Sequence, residues 1–346
     1  MADNRFYCPF CPVAVAIVMF VVAACSPDEP FIDSFNDSWR IVAGTGRTAE
    51  AYVIPGGGTS APALWNGNDD SSVVRVVQFR DNLYVVSQNP AAIVILEAAT
   101  QIAIDTIDVS RIGAPWDIAF PNATSAYVSF PGSDSVGVLD LTTSQLVRSI
   151  FVLGGPRGIR ALGNQIVTAC ASSDEIAVLD SRTLSVESRF PTSPCPWFVD
   201  VDPRNTQFLV LCRGAGRIDT RDRTVPALQF FDPVTRTITA TLDATARASE
   251  GTLQEPTSMA VTDADFVYVT VQNGVLRAST RTRQRLAGVN FDGYIYVTFN
   301  AARSELVALQ ADSRTIDVYD GLFESRRSST SLPSALRTFT TTGPRQ

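Results

Sequence analysis

The chain of 346 residues contains no histidine and no lysine; all 28 basic residues are arginine. Without histidine there is no Ser-His-Asp triad, no imidazole ligand for zinc or haem, and no imidazole base to activate a cysteine. Without lysine there is no Schiff-base chemistry. No catalytic residue, metal site or cofactor is therefore assigned. Long hydrophobic runs are scarce as well: the apolar stretch from Val13 to Val22 is too short to span a bilayer. A net charge of −7 removes the electrostatic attraction to nucleic acid and to anionic membranes. What is present in ordinary measure is apolar content, 45%, which is enough to bury a core and excludes a mostly disordered chain.

The chain repeats itself. Pro115-Trp116-Asp117-Ile118, then Ala126-Tyr127-Val128-Ser129, then Val136 to Leu139 with Asp140 and Thr143, form one unit. Pro156-Arg157-Gly158-Ile159, then Gln165-Ile166-Val167-Thr168, then Ile176 to Leu179 with Asp180 and Thr183, form the next. The leading prolines are 41 residues apart, and Pro196 follows 40 residues later. A period near 40 with several short strands per period is the pattern of a β-propeller blade. Segments around Tyr84, Tyr127, Ile166, Leu209, Tyr268 and Val307 recur at spacings of 43, 39, 43, 59 and 39 residues, and read as the second strands of six successive blades.

The third strands are near-continuous apolar runs: Ile93 to Leu96, Val136 to Leu139, Ile176 to Leu179, and Leu228 to Phe231, broken only by Gln229. Such runs suit sheets covered on both faces, as stacked blades are. Each run ends in an acid with threonine three residues on: Glu97/Thr100, Asp140/Thr143, Asp180/Thr183 and Asp232/Thr235. These are hairpin residues whose side-chain oxygens receive turn N–H groups. Strands near Trp39–Ala43, Ala51–Ile54 and Ala61–Trp65 lack a fourth partner, and the last apolar segment, around Ser334 to Thr340, lacks a blade of its own. Pairing the two ends closes the ring and removes both open edges. The expected fold is all-β: a propeller of seven blades, or failing that six, each of four antiparallel strands, closed by its N- and C-terminal strands.

Residues 1–24 read as a secretory signal, with Arg5 ahead of the apolar run and small residues behind it. Val22 to Cys25 resemble a bacterial lipobox, which makes Cys25 the lipidated first residue of the mature chain. Residues 25–37 are then a polar tether and 38–346 a single propeller domain, monomeric and held at the membrane by its lipid alone. Ser26 in place of aspartate favours the outer membrane, and Asp28-Glu29 looks like the acidic tag of surface-exported lipoproteins in Bacteroidetes. Cys8 and Cys11 have redox spacing but lie within the segment to be removed.

In a propeller the loops that lead into the blades gather on one face around the central channel. Residues just after the repeat prolines are the candidates to line it: Trp116, Asp117, Arg157, Trp197 and Thr257, with Phe291 in the degenerate sixth copy. Two tryptophans and an arginine in equivalent places suit a flat organic ligand, or else they plug the channel. The insertion from Arg213 to Val225 extends this face with Arg213 and Arg217. Among the remaining cysteines a disulfide of Cys195 with Cys170 or Cys212 is expected in an oxidising compartment.

The Tyr-Val-Thr strands (Tyr268 to Thr270; Tyr296 to Asn300) and the Leu-Asp-x-x-Thr hairpins resemble the YVTN/YncE-like β-propeller family. The segments from Tyr52 to Gly57, Leu211 to Gly214 and Asp292 to Ile295 look like its surface-lipoprotein branch, common in Bacteroidetes. The resemblance covers nearly the whole mature chain. It implies a non-enzymatic envelope protein that binds a ligand or partner on its loop face, with corrinoid capture for an outer-membrane transporter as one known use of the branch. The alternatives are a protein-docking propeller of the envelope and a calcium-dependent lactonase-type hydrolase, which is also a propeller.

Overall fold

Short apolar segments separated by Asp, Gly, Thr and Pro cannot bury themselves singly, and here they stack. The computed structural model describes residues 39–44, 48–54, 65–66, 73–100, 102–214, 224–245, 256–271, 274–286, 293–301, 303–332 and 338–342. Apart from a 3₁₀ turn at Pro131–Ser133, the regular structure there is antiparallel β-sheet.

The strands are β1 (Trp39–Gly44), β2 (Thr48–Ile54) and β3 (Trp65–Asn66); β4 (Val73–Phe79), β5 (Asn82–Gln88), β6 (Ala91–Glu97) and β7 (Ala103–Asp108); β8 (Ile118–Ala119), β9 (Ser125–Phe130), β10 (Ser135–Asp140) and β11 (Gln145–Phe151). There follow β12 (Pro156–Leu162), β13 (Gln165–Cys170), β14 (Glu175–Asp180) and β15 (Ser185–Pro191); β16 (Pro196–Val201), β17 (Phe208–Cys212), β18 (Ala227–Asp232) and β19 (Thr237–Asp243). The last are β20 (Pro256–Val261), β21 (Phe266–Val271), β22 (Gly274–Ser279) and β23 (Gln284–Arg285); β24 (Tyr294–Asn300), β25 (Glu305–Gln310), β26 (Thr315–Asp320) and β27 (Arg326–Ser331); and β28 (Thr338–Thr342).

Six blades are cut from four consecutive strands each, from β4–β7 to β24–β27. A further four-stranded sheet, in the order β28-β1-β2-β3, joins the two ends of the chain. Arg40 pairs with Thr342 and Gly44 with Thr338 in that closure. The expected pairing of the ends is thus present, with β28 as its innermost strand, packed between β24 and β4. Residues Trp39–Gln346 form one compact unit.

The core lies between blades. One cluster joins Tyr84, Ile93 and Ile95 to Ile118, Val128 and Phe130, and another joins Val167, Ile176 and Val178 to Val199, Val210 and Phe231. Middle strands such as β9, β13 and β17 are buried on both faces, whereas the outer strand β7 is almost entirely exposed. The register corrects one detail. Val167 pairs with Val178 as Tyr127 pairs with Val138, so Val167 rather than Ile166 is the repeat equivalent of Tyr127. A one-residue slip within an apolar run changes no composition but exchanges the two faces.

The acid–threonine hairpins are turns, as expected. Asp140 Oδ1 accepts the N–H groups of Thr142 and Thr143 at 2.8 and 3.2 Å, and Asp232 Oδ1 those of Val234 and Thr235 at 2.8 and 3.2 Å. Gln229, the break in an apolar run, is buried and satisfied: it accepts from Ser193 N–H at 2.9 Å and donates to Thr241 Oγ1 at 3.1 Å.

Candidate functional site: an indole–guanidinium cluster above an ion-paired channel

The inner strands begin with a bulge. In β16, Pro196 pairs with Cys212 and Phe198 with Leu211, leaving Trp197 as the extra residue. The same irregularity isolates Thr257 in β20, Ile295 in β24, Val74 in β4, and Arg157 with Gly158 in β12. Trp116 holds the corresponding place ahead of β8, donating its N–H to the Ser129 carbonyl at 2.8 Å. A bulge re-aims the side chain it carries, and here it does so at the mouth of the channel.

Three of these side chains meet. The Trp116 and Trp197 rings lie edge to face, 5.8 Å apart at 88°. The Arg157 guanidinium lies 4.6 Å from the Trp116 centroid and 3.7 Å from that of Trp197. Arg213, just beyond β17, brings a second guanidinium 4.2 Å over Trp197. Gly158 permits the approach: a Cβ there would fall 2.7 Å from Val199 N and 2.8 Å from the Trp197 carbonyl oxygen. Ser129 Oγ fixes the strand from the other side, donating to the Arg157 carbonyl at 2.5 Å.

Arg157 is half-buried, and among the described residues its guanidinium has rings but no hydrogen-bond acceptor or carboxylate partner. Its pKa is lowered, chiefly by burial and further by the like charge of Arg213.

One residue further along, the chemistry is different. Asp117 is 6% exposed and ties two arginines, Arg75 at 3.3 Å and Arg160 at 2.8 Å. It also accepts the N–H of Ile118 at 2.9 Å and of Ile159, on the next blade, at 3.3 Å. Ser258 makes the equivalent clamp from β20, accepting Val297 N–H at 2.8 Å. Arg160 continues the chain to Asp200 at 3.4 Å, and Arg75 donates to the Tyr296 hydroxyl at 3.0 Å, reaching from β4 to β24 past β28. Burial opposes the charge on Arg160, but Asp117 and Asp200 outweigh it and raise its pKa. Asp117 therefore serves the channel filling that was the structural alternative for these positions.

Of the sequence-chosen residues, the structure gathers Trp116, Arg157, Trp197 and Arg213. Thr257 keeps its register place, but its hydroxyl is engaged by Thr270 Oγ1 at 2.9 Å. In the sixth copy the equivalent position is Ile295, after Tyr294, and not Phe291; the leading proline that marked the four preceding copies is missing there. Phe291, Arg217 and Cys25 lie outside the described residues. Arg75, Gly158, Arg160, Asp200 and Tyr296 were missed. The signal for Arg160 and Asp200 was a charge three residues after each bulge position, in otherwise apolar strands.

The expected disulfide is corrected: Cys170, Cys195 and Cys212 are joined by none. Cys170 and Cys212 are packed into different inter-blade clusters, and Cys195 sits in a left-handed turn, φ 57°, with its N–H donated to Asp174 Oδ1 at 2.7 Å. Burial pushes the Cys170 thiol up to about 11 and the Cys212 thiol to about 12, so neither is a thiolate at neutral pH.

No protein-family model matches the chain, and no curated protein matches it. Solved structures do. The chain is similar to Kuenenia stuttgartiensis hydrazine synthase, with a TM-score of 0.65 and 16% identity over 79% of this chain and 95% of that one. It is similar to a chain of the mitotic checkpoint complex, with a TM-score of 0.62 and 15% identity over 80% and 87% of the two chains. The Neurospora crassa Pan2 WD40 domain gives a TM-score of 0.58 and 12% identity over 75% and 78%. The fold is a β-propeller. At such identities the likeness extends to architecture alone.

Proposed function

We propose that this chain is a non-enzymatic envelope protein of the YncE-like propeller type that captures a small ring-bearing ligand on its loop face. Cys25 is its lipid anchor, the outer membrane its location, and hand-over to an outer-membrane transporter its purpose. The observation that supports this reading is the meeting of Trp116, Arg157, Trp197 and Arg213, which come from four separate stretches of the chain and set guanidinium groups against aromatic walls. A corrinoid is the first ligand to try. Calorimetric titration with cobalamin and cobinamide, repeated on a Trp116→Ala/Trp197→Ala variant, should give binding that the variant loses. Flat heats from folded protein would remove the corrinoid.

A second reading, docking of another envelope protein, is favoured by a separate feature. Val147 and Phe151 on β11 and Leu153 just after it are 53%, 68% and 55% exposed, on the outermost strand of their sheet. No comparable observation favours the calcium-dependent hydrolase.

A further inference from the structure

Resting on the reading of the loop face as a ligand site, we propose that its ligand is an organic oxyanion, a carboxylate or phosphate ester carried on a flat ring, and that Arg157 receives it. Stacking occupies the faces of a guanidinium and leaves its N–H donors pointing outward in the plane. That edge is the one with which arginine grips carboxylate or phosphate in bidentate fashion. The Arg157 guanidinium carbon lies 3.7 and 4.6 Å from two indole centroids, and because those rings stand at 88° to each other it can stack flat on only one of them; its N–H groups have no hydrogen-bond acceptor among the described residues.

Asp117, Asp134, Asp174 and Glu175 already hold other partners. Asp117 is held by Arg75 and Arg160. Asp134 Oδ1 accepts the N–H groups of Gly154 and Gly155 at 3.0 and 2.7 Å, and Asp174 that of Cys195 at 2.7 Å. Glu175 is paired with Arg189 at 3.3 Å. Arg213 places a second guanidinium over the same Trp197 ring. The two indoles, set at 88° to each other, supply apolar walls for the ring that carries the anion. The channel beneath is closed to the ligand's charge by its own alternating arginines and aspartates.

The test is a titration of the full chain with phenyl phosphate, benzoate, inorganic phosphate and the neutral benzyl alcohol, read by indole fluorescence. Two of the chain's four tryptophans report on the site. Phenyl phosphate and benzoate should bind at least about tenfold more tightly than benzyl alcohol, as expected for a charge-assisted bidentate contact. Inorganic phosphate should compete with them. Arg157→Gln should lose that preference while its circular dichroism stays unchanged, and Trp116→Phe should keep it.

Equal binding of the anions and the alcohol would overturn the proposal, as would an Arg157→Gln chain that binds anions as well as the unaltered one. If cobinamide binds, is lost in Trp116→Ala/Trp197→Ala and is not displaced by the anions, the ligand-site reading stands and the oxyanion proposal falls. If neither charged nor neutral ring compounds bind, both fall.

Discussion

Trp116 and Asp117 are neighbours in sequence, yet they belong to regions that treat arginine in opposite ways. In the channel, Arg75 and Arg160 share the buried Asp117, and Asp200 completes the line. There the charges satisfy one another, and their work is to hold inner strands from different blades in register. On the face above, Arg157 and Arg213 lie against indoles, and Arg157 has no acid within the described residues. A buried charge without a partner is costly, so paired charges mark structure. Among the described residues, the half-buried Arg157 guanidinium meets rings and no acid. The contrast separates scaffold from site more sharply than residue type does, because both regions are built of the same few residues on the same strands.

The largest effect should come from breaking the channel. Asp117→Ala leaves Arg75 and Arg160 without their common carboxylate and should cost about 3–5 kcal/mol, the usual penalty for stranding a buried ion-pair partner. Urea unfolding measures it. A loss below about 1 kcal/mol, the range of exposed pairs, would show that the network is solvated.

A smaller effect should follow where the two regions meet. Gly158→Ala forces a Cβ to within 2.7 Å of the β16 backbone, an overpacking cost of about 1–3 kcal/mol. The shift should also carry Trp197 away from Arg157, so the emission of the folded protein should change along with its unfolding midpoint. Destabilisation with unchanged emission would mean that Gly158 does not set the indole–guanidinium spacing.

The smallest effect lies in the outer hairpins, far from either region. The Arg182 guanidinium, and then the turn N–H groups, hold the Asp180 carboxyl down at about 2, against an ordinary 3.8. A carboxyl depressed in the folded state contributes stability that is in place above the unfolded pKa and is lost as pH falls through the folded one. Asp180→Asn should therefore flatten the acid side of the stability curve between about pH 4 and about pH 2 and, at neutral pH, lose the stability that the ionised carboxyl contributes there. An unaltered acid limb would remove this hairpin from the linkage.

Much of the architecture was legible because it depends on local and repeated choices. Apolar runs such as Ile176 to Leu179, hairpin acids such as Asp140 and the proline period each act over a few residues, and their recurrence in blade after blade makes the signal plain. The unpartnered ends also declared themselves, since a sheet edge must be covered somewhere. The choice of Trp116, Arg157 and Trp197 came from the same periodicity. It failed at the sixth copy, where Tyr294 replaces the leading proline and Ile295 takes the place expected for Phe291.

What composition and spacing determined by themselves was the class of fold, the blade content and the exclusion of histidine- and lysine-based chemistry. Only the tertiary structure decided which neighbour faces which region. A bulge adds one residue to a strand and rotates the side chains after it, and no periodic reading registers that extra residue until its partner strand is in place. It is this rotation that sends Trp116 to the face and Asp117 into the channel. Likewise, Arg75, Arg160 and Arg157 are the same residue on two inner strands, β4 and β12, and their roles differ because one carboxylate reaches Arg75 and Arg160 and not Arg157.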